Sequence, residues 1–303
     1  MSILNRPSDG LYSILLTLVT ALFREKPVSR DNLIRTFGPP PSQDYETRLI
    51  LIRGTLNRWI ALGLFIEEDN NIRLAIDPIK GESLESFLTR LPAICRQLAW
   101  ERGKPLWPDS DEVTEEDLGV TADLCRGLAW CLCQDIYTLP TAWNEINALI
   151  RGQMLAGRAI IQNDTRWGGL KDWASFLGFA VEGRVGIFFD PTLAVRAELA
   201  QFMKCGVQIS AEEFALQLAS RLPVLDRGSC RTEVEQALRT DTWSAPPTGY
   251  LSTALSFALR RLQIQNSLDL RILADSNTKL TLTRQGGRTW DSFTHVMLKE
   301  ELS

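Results

Sequence analysis

Residues 47–78, TRLILIRGTLNRWIALGLFIEEDNNIRLAIDP, decide the fold of this chain. The first half of this stretch is apolar at helical spacing, at Leu49, Ile52, Leu56, Trp59 and Ile60. That periodicity predicts an amphipathic helix, which Gly63 should end. Alternating apolar residues on both sides of Asp69-Asn70-Asn71 then predict two strands joined by a tight turn. The stretch is therefore expected to be one helix followed by one β-hairpin.

Two further helices are predicted upstream of this stretch. Ser8-Asp9 should cap a helix over residues 11–25, and Ser29 should cap a short helix that ends at Phe37. The segment 38–42, GPPPS, provides a rigid turn before the long helix. Three helices followed by a hairpin is the order of a winged helix-turn-helix. Residues 1–80 are accordingly predicted to form an N-terminal winged-helix domain.

The pattern becomes helical after this domain. Apolar periodicity predicts one helix over residues 84–98 and a second over 118–137. Between them, residues 109–117 contain six acidic residues and no basic one, which is typical of an exposed loop. Residues 81–138 are therefore predicted to be a helical connector with an acidic loop.

A second module, over residues 139–208, repeats the pattern of the first. LGFAVEGRVGIFFDP from Leu177 shares with LGLFIEEDNNIRLAIDP from Leu62 the initial Leu-Gly, the alternating hairpin and the closing Asp-Pro. A helix around residues 143–154 and a helix begun by Asp164 should precede this hairpin. The similarity predicts an internal repeat with Trp59 and Trp173 both buried.

A third module is predicted over residues 209–303. Helices near 211–222, 231–239 and 250–262 should lead into a hairpin with strands at 268–272 and 280–282 and a turn at 275–277; a final helix should follow around residues 290–302. The predicted fold class is mostly α with small β-hairpins, an α+β protein built from tandem winged-helix-like domains joined by helical segments.

The charge of the chain argues against a large nucleic-acid footprint. The formal net charge is −4 and the isoelectric point is about 5.3. The acidic run at 109–117 accounts for this sign, because without its six acids the net charge would be +2. Residues 1–63 carry eight basic and five acidic side chains, a mild positive excess.

The sequence contains no motif of the common enzyme classes. It lacks a P-loop, a Rossmann glycine motif, HExxH and GxSxG, and its one histidine is His295. We therefore expect no catalytic residue, no cofactor and no metal site. One alternative stays open: Arg288 and His295 are spaced like the Arg and His pair of HEPN ribonucleases, which would make the protein a cryptic ribonuclease.

The cysteines and an apolar run near the N-terminus predict where in the cell the protein works. Six cysteines without a secretion signal are expected to be buried thiols of a cytoplasmic protein. Cys125, Cys131 and Cys133 lie in an apolar helical pattern that favours packing over metal binding. The apolar run at residues 11–23 is too short to span a bilayer, so no membrane partner is expected.

The candidate DNA-binding residues lie in or near the predicted long helix and the hairpin that follows it. They are Thr47, Arg53, Asn57, Arg58 and Arg73. Arginine can read guanine and asparagine can read adenine when such a helix enters the major groove. Glu67-Glu68-Asp69 at the hairpin tip would instead repel phosphate. The sequence leaves two alternatives open: the domain contacts DNA directly, or it binds only protein.

Two segments carry a resemblance to a known family. MSILNRPSDGLYSILLTLVTAL at residues 1–22 and LNRWIALGLFIEED at 56–69 resemble the N-terminal part of DpdG, an accessory protein of bacterial Dpd systems. Those systems place 7-deazaguanine derivatives in DNA and restrict DNA that lacks them. The resemblance implies a bacterial cytoplasmic protein that works in antiviral defence beside helicases and nucleases. It brings no catalytic motif.

The leading hypothesis is a non-enzymatic subunit that binds DNA, other proteins or both in a bacterial restriction and defence assembly. Its expected partners are helicase, nuclease or ATPase subunits, double-stranded DNA and a second copy of the chain. The alternative is a winged-helix scaffold that binds protein only, similar to the accessory subunits of bacterial condensin-like complexes. The acidic isoelectric point and the acidic hairpin tip favour that alternative.

Overall fold

The computed structural model describes residues 3–4, 12–24, 27–37, 45–101, 103–108, 118–184, 186–273 and 278–300. Helices alternate with small antiparallel sheets, which confirms the predicted α+β class. The chain divides into two compact units, and each is discontinuous in sequence. Unit 1 contains Met1–Asp123 and Thr165–Phe176, and unit 2 contains Leu124–Asp164 and Leu177–Ser303.

Unit 1 begins with helices and strands in close alternation. Its elements are α1 (Tyr12–Arg24), β1 (Val28–Ser29), α2 (Arg30–Phe37), α3 (Tyr45–Ala61), β2 (Phe65–Glu68), β3 (Asn71–Leu74) and α4 (Leu84–Ala99). The three strands form one antiparallel sheet in the order β1-β3-β2. The predicted three helices and hairpin are confirmed, and β1 is an addition that the sequence did not indicate.

Glycine ends α3 in the predicted way. Gly63 has a φ of +82°, which an L-residue with a side chain adopts only with strain. Its N–H donates to Ile60 O at 3.0 Å, and the N–H of Leu64 donates to Trp59 O at 2.8 Å. This pair of bonds is a Schellman motif, which satisfies carbonyls at the helix end and turns the chain into β2.

The core of unit 1 contains two tryptophans in contact with each other. Trp59 of α3 and Trp173 are 1% and 3% exposed, which confirms the prediction that both are buried. Trp173 lies in α7 (Asp164–Phe176), and residues 165–176 of that helix belong to unit 1. The two ring centroids are 5.7 Å apart, so the helix predicted for the second module contributes to the core of the first unit.

Unit 2 contains most of the remaining elements. They are the greater part of α5 (Ala122–Cys133), then α6 (Trp143–Gln153), β4 (Val181–Gly183), β5 (Gly186–Phe188), α8 (Thr192–Phe202), β6 (Gln208–Ser210), α9 (Ala211–Arg221), α10 (Ser229–Gln236), α11 (Thr253–Ile264), β7 (Leu268–Arg271), β8 (Leu280–Thr283), β9 (Thr289–Phe293) and β10 (His295–Leu298). The hairpin predicted at residues 179–189 forms from β4 and β5. Helix α8 was not predicted.

The end of unit 2 differs from the prediction in two ways. The final helix predicted around residues 290–302 is wrong, because β9 and β10 occupy residues 289–298. The predicted pairing of β7 with β8 is also wrong: β7 pairs with β10, and β8 pairs with β9. The pairing of β7 with β10 joins residues that are not neighbours in the sequence, and local periodicity does not report it, whereas β8 and β9 are consecutive strands. The predicted turn at 275–277 lies outside the described residues.

The predicted domain ranges 1–80, 81–138, 139–208 and 209–303 do not coincide with the two compact units. Residues 139–208 in particular are divided between both units, because most of α7 belongs to unit 1. The tandem division therefore stays a prediction. The acidic run at 109–117 lies outside the described residues.

The cysteines are free thiols in different environments. Cys95, Cys125, Cys131 and Cys133 are buried as predicted, and Cys230 is half-buried. The prediction of a buried thiol is wrong for Cys205, which is exposed in the segment between α8 and β6, where it forms a β-bridge with Leu298. Burial raises the pKa of Cys133 to about 12 and raises the pKa of Cys131 well above its ordinary value.

Two absences among the described residues bear on partners. No described helix combines the length and the apolarity that crossing a membrane requires. Within the same residues, no group of three or more His, Cys, Asp or Glu side chains is placed to hold a metal ion.

Candidate nucleic-acid interface

The outward face of α3 presents two of the predicted residues together. Arg53 and Asn57 are exposed and lie one helical turn apart, so their side chains share a face. Arg53 makes no ion pair with another described residue. Its guanidinium group is therefore available to an external anion.

Arg58 does not belong to this face. It is 7% exposed, which corrects the expectation that it points outward beside Asn57. Arg58 lies inward because it follows buried Thr55 by three positions and precedes buried Leu62 by four. Residues at these spacings lie on the same side of a helix. The inward face of α3 is wider than the apolar residues alone indicated, and Arg58 falls within it.

Arg30, which the sequence did not suggest, links α3 to the hairpin. It is the first residue of α2, and its Nη1 lies 2.6 Å from Glu67 Oε2. Its Nη2 donates to Oδ1 of Asn57. The pairing of β1 with β3 brings Arg30 to this position, and its backbone N–H donates to Asn70 O at 2.8 Å. The one sign of this role in the sequence is that Arg30 directly follows Ser29, the residue that caps α2.

The acids of the hairpin lie on opposite faces of the sheet. Glu67 is opposite Ile72, and Ile72 is buried, so Glu67 lies on the face that packs towards the helices. Glu68 lies on the other face, where its Oε1 is 3.2 Å from Nη2 of Arg73. Each glutamate therefore has an arginine partner within unit 1. The hairpin presents less uncompensated negative charge than its sequence suggested.

The five predicted residues thus have different placements. Arg53 and Asn57 share the exposed face of α3, Arg73 lies on the outer face of the hairpin, and Arg58 is buried. The side chain of Thr47 lies outside the described residues. Arg30 replaces Arg58 as the second cation next to Asn57.

This arrangement suits phosphate contact better than base reading. Arg53 and Arg30 provide guanidinium groups, which bind phosphate with two parallel hydrogen bonds. An asparagine reads adenine through its amide oxygen and its amide nitrogen together. Because Arg30 occupies the oxygen of Asn57, a contact from Asn57 to adenine would require Arg30 to move away.

The two residues of the ribonuclease alternative are associated with strands of different sheets, and that alternative stays a hypothesis. Arg288 precedes β9, whereas His295 begins β10, and these strands pair into different sheets. The side-chain hydrogen bonds of both residues are local: Arg288 Nε donates to Gln285 O at 3.4 Å, and His295 Nδ1 lies 3.0 Å from Thr294 Oγ1.

Comparison with known protein families shows to which family the chain belongs. A family model described as DpdG-like matches residues 1–276. The chain belongs to the DpdG-like family. The match confirms the resemblance of the N-terminal segments and extends it through most of unit 2. No curated protein and no solved structure matches the chain.

Proposed function

We propose that this DpdG-like protein is a non-enzymatic subunit of a bacterial assembly that defends against foreign DNA. We also propose that the start of unit 1 is a winged-helix module that contacts duplex DNA through α3. Membership of the family supports the first statement, because DpdG is an accessory component of Dpd systems. The local structure of the described residues between 12 and 74 supports the second.

The observation that carries the DNA-binding proposal is the element order of unit 1. Helix, strand, two helices and a hairpin, with β1 paired to β3, is the arrangement in which the third helix of a winged helix enters the major groove. Here that helix is α3. Its exposed face carries Arg53 and Asn57, and Arg30 reaches the same face from α2.

Arg53 is the residue on which this function most depends. A long exposed cation at the middle of α3, without an ionic partner among the described residues, can reach a phosphate or the edge of guanine. Arg30 would bind a phosphate group in place of its present partner, Glu67. Ion pairs at partly exposed sites contribute little net stability, so a phosphate group can compete for this arginine.

The second candidate function is a scaffold that binds protein and not DNA. Two ion pairs favour it, because Arg30 with Glu67 and Arg73 with Glu68 compensate their own charges inside unit 1. The net charge of −4 favours it as well. In this case the α3 face would bind another subunit of the assembly.

Fluorescence anisotropy with a labelled duplex of 20 base pairs separates the two functions. The DNA-binding function predicts affinity that falls steeply as salt rises from 50 to 200 mM, because phosphate contacts release counterions. Arg53→Ala should weaken binding, whereas Arg184→Ala, which removes an exposed arginine of unit 2, should not. The scaffold function predicts negligible binding at 150 mM salt in all three proteins.

Purification of the tagged chain with its untagged genomic neighbours tests the protein partners. Recovery of a helicase, nuclease or ATPase subunit in fixed proportion would support membership of an assembly. Light scattering of the purified chain would show whether a second copy binds. Loss of a recovered subunit on Arg53→Ala, without any change in DNA affinity, would favour the scaffold function.

A further inference from the structure

The elements from α8 to β10 in unit 2 follow the order of the elements at the start of unit 1. A helix leads to a short strand, α8 and β6 in place of α1 and β1, and two strands close the series, β7 and β10 in place of β2 and β3. The strand orders β6-β10-β7 and β1-β3-β2 correspond, and all neighbours are antiparallel. Unit 2 differs by two additions, α10 between α9 and α11 and the β8–β9 hairpin between β7 and β10.

The two series also end and begin their helices in the same way. Ser210, the last residue of β6, caps α9 through its side chain, as Ser29 at the end of β1 caps α2. Asn266 ends α11 as Gly63 ends α3, with a φ of +63° and a Schellman pair of hydrogen bonds, both of 3.0 Å. Helix α11 is therefore the counterpart of α3 in this series.

The added hairpin covers the side of α11 that corresponds to the exposed face of α3. Ser256 and Arg260 occupy the positions of Arg53 and Asn57 in α3, ten and six residues before the residue that ends the helix. Ser256 is buried, and its Oγ accepts from a backbone N–H of β8 at 2.8 Å. Arg260 Nη1 lies 3.3 Å from Oδ2 of Asp291 in β9. Because β8 and β9 lie on this side, α11 cannot enter the major groove in the way proposed for α3.

The tip of this hairpin, residues 284–288 (RQGGR), carries an arginine at each end. The two arginines lie opposite each other in the backbone, because the N–H of Arg284 donates to Arg288 O at 2.7 Å. Both are exposed, and neither forms an ion pair with another described residue. The tip therefore presents two positive charges without an ionic partner in this part of the chain, whereas the arginine of the unit 1 hairpin, Arg73, is paired with Glu68.

An aspartate from a distant part of unit 2 holds the tip in place. Asp135, which follows α5, accepts from the N–H of Gly286 through Oδ2 at 3.0 Å and from the N–H of Tyr137 through Oδ1 at 3.1 Å. The negative charge of Asp135 is thus directed to backbone N–H groups and not to Arg284 or Arg288. The hydrogen bond to Gly286 fixes the tip against the body of unit 2 while both arginine side chains stay exposed.

We propose that residues 284–288 bind the phosphate backbone of duplex DNA, so that unit 2 has a DNA contact of its own. This inference rests on the proposed function, because it assigns a second contact to the same ligand. A guanidinium group binds a phosphate through two parallel hydrogen bonds, and the tip offers two such groups. In unit 2 the hairpin, and not the covered helix α11, makes the contact. Binding by the tip should be independent of DNA sequence, because phosphate contacts carry no sequence information.

Anisotropy titration of the full chain with a labelled duplex tests the site. Arg284→Ala combined with Arg288→Ala should weaken binding and lower the slope of log K against log salt by about 1.8, which corresponds to one phosphate contact for each arginine. Lysine at both positions should keep the slope, because lysine keeps the charge. The matched control, Arg184→Ala combined with Arg239→Ala, removes two other exposed arginines of unit 2 and should change neither affinity nor slope.

Arginine footprinting of the wild-type chain separates a failure of this site from a failure of α3. Phenylglyoxal modifies exposed arginines, and mass spectrometry of peptides cut before aspartate measures each arginine with and without duplex. Protection of Arg284 and Arg288 by DNA is the expected result. Protection of Arg53 alone would overturn the hairpin site and leave the proposed function intact, whereas protection of the tip alone would contradict only the role of α3.

The variants add two outcomes that would overturn the hairpin site. One is unchanged affinity and slope in the double alanine variant of Arg284 and Arg288. The other is weaker binding by Arg260→Ala without weaker binding by that double variant, since α11 would then be the contacting element.

Discussion

The rings of Trp59 and Trp173 pack against each other with centroids 5.7 Å apart and planes inclined at 46°. Each tryptophan lies shortly before a glycine with positive φ, Gly63 or Gly178, which is the feature that made the two segments look like a repeat. The two residues do not hold two separate cores. They share the core of unit 1. The two similar segments therefore supply two helices to one unit.

This contact predicts coupled losses of stability. Trp59→Ala and Trp173→Ala should each lower the free energy of unfolding by about 3–5 kcal/mol, because each leaves a large cavity. A double-mutant cycle should give a coupling of about 0.5–1.5 kcal/mol for the ring contact. Urea denaturation followed by circular dichroism measures all four proteins. Additive losses would show that the rings do not interact.

Two glycines of unit 1 should respond to alanine with opposite signs. Gly63→Ala forces a side chain into left-handed backbone and should destabilise the protein by roughly 1–2 kcal/mol. Gly168 lies inside α7 with open space at its Cβ position, so Gly168→Ala should stabilise the protein by about 0.5–1 kcal/mol. Thermal unfolding of both variants tests this pair. Equal effects at the two positions would contradict the assigned helix end at Gly63.

Thiol exposure predicts an order of chemical labelling. Under native conditions Cys205 should react with a maleimide first and Cys230 more slowly. Cys95, Cys131 and Cys133 should react only after unfolding, because burial raises the pKa of all three and blocks access. Mass spectrometry of peptides over a time course gives the order. Rapid native labelling of Cys131 would show that α5 is not packed as described.

Glu82 should give unit 1 a specific acid response. Both Oε atoms of Glu82 accept from Arg90, at 2.5 and 2.8 Å, and this pairing lowers the pKa of Glu82 below its ordinary value of 4.5. A lowered pKa means that the pairing stabilises the fold fully above pH 4.5 and that this contribution is lost as the pH falls through the folded-state pKa. Glu82→Gln should therefore lower stability at pH 6 and flatten its dependence below pH 4.5. If the dependence of stability on pH is the same in Glu82→Gln and the wild type, Glu82 does not have this role.

The sequence predicted the parts of the fold that local chemistry determines. The spacing of Leu49, Ile52, Leu56 and Trp59 and the position of Gly63 were sufficient for α3 and its end, because a helix and its cap depend on neighbouring residues. Pairing between distant strands was not predicted. Val296 and Leu298 are buried alternately in β10 opposite Leu270 and Leu268, and nothing local to residues 290–302 indicates those partners.

The candidate site was predicted in part for a similar reason. Arg53 and Asn57 followed from the helical face alone. The burial of Arg58 depends on how widely α3 is covered by its surroundings, and the role of Arg30 depends on the pairing of β1 with β3. Both are tertiary effects that helical periodicity does not contain.

The charges of the hairpin give a prediction for DNA binding that differs between two neighbouring glutamates. Glu68→Gln frees Arg73 on the outer face and removes a negative charge, so duplex affinity should rise. Glu67→Gln also removes a charge, but it releases Arg30 from the contact that holds it beside Asn57. Its effect should therefore include a changed preference among duplexes of different sequence. Competition binding with three unrelated duplexes measures both effects.

The salt dependence of duplex binding by the full chain tests the central claim most directly. We expect the wild-type protein to bind with log K falling linearly against log salt, and we expect Arg53→Ala to bind more weakly. If Arg53 contacts a phosphate, the slope should be smaller by about 0.9 in the variant; if it contacts a base, the slope should be kept and the preference for one position should relax by about 1–3 kcal/mol. Arg184→Ala should match the wild type in both respects. Identical affinity and slope for Arg53→Ala and the wild type, or no binding by the wild type at 50 mM salt, would contradict the claim that α3 is a DNA-contacting helix.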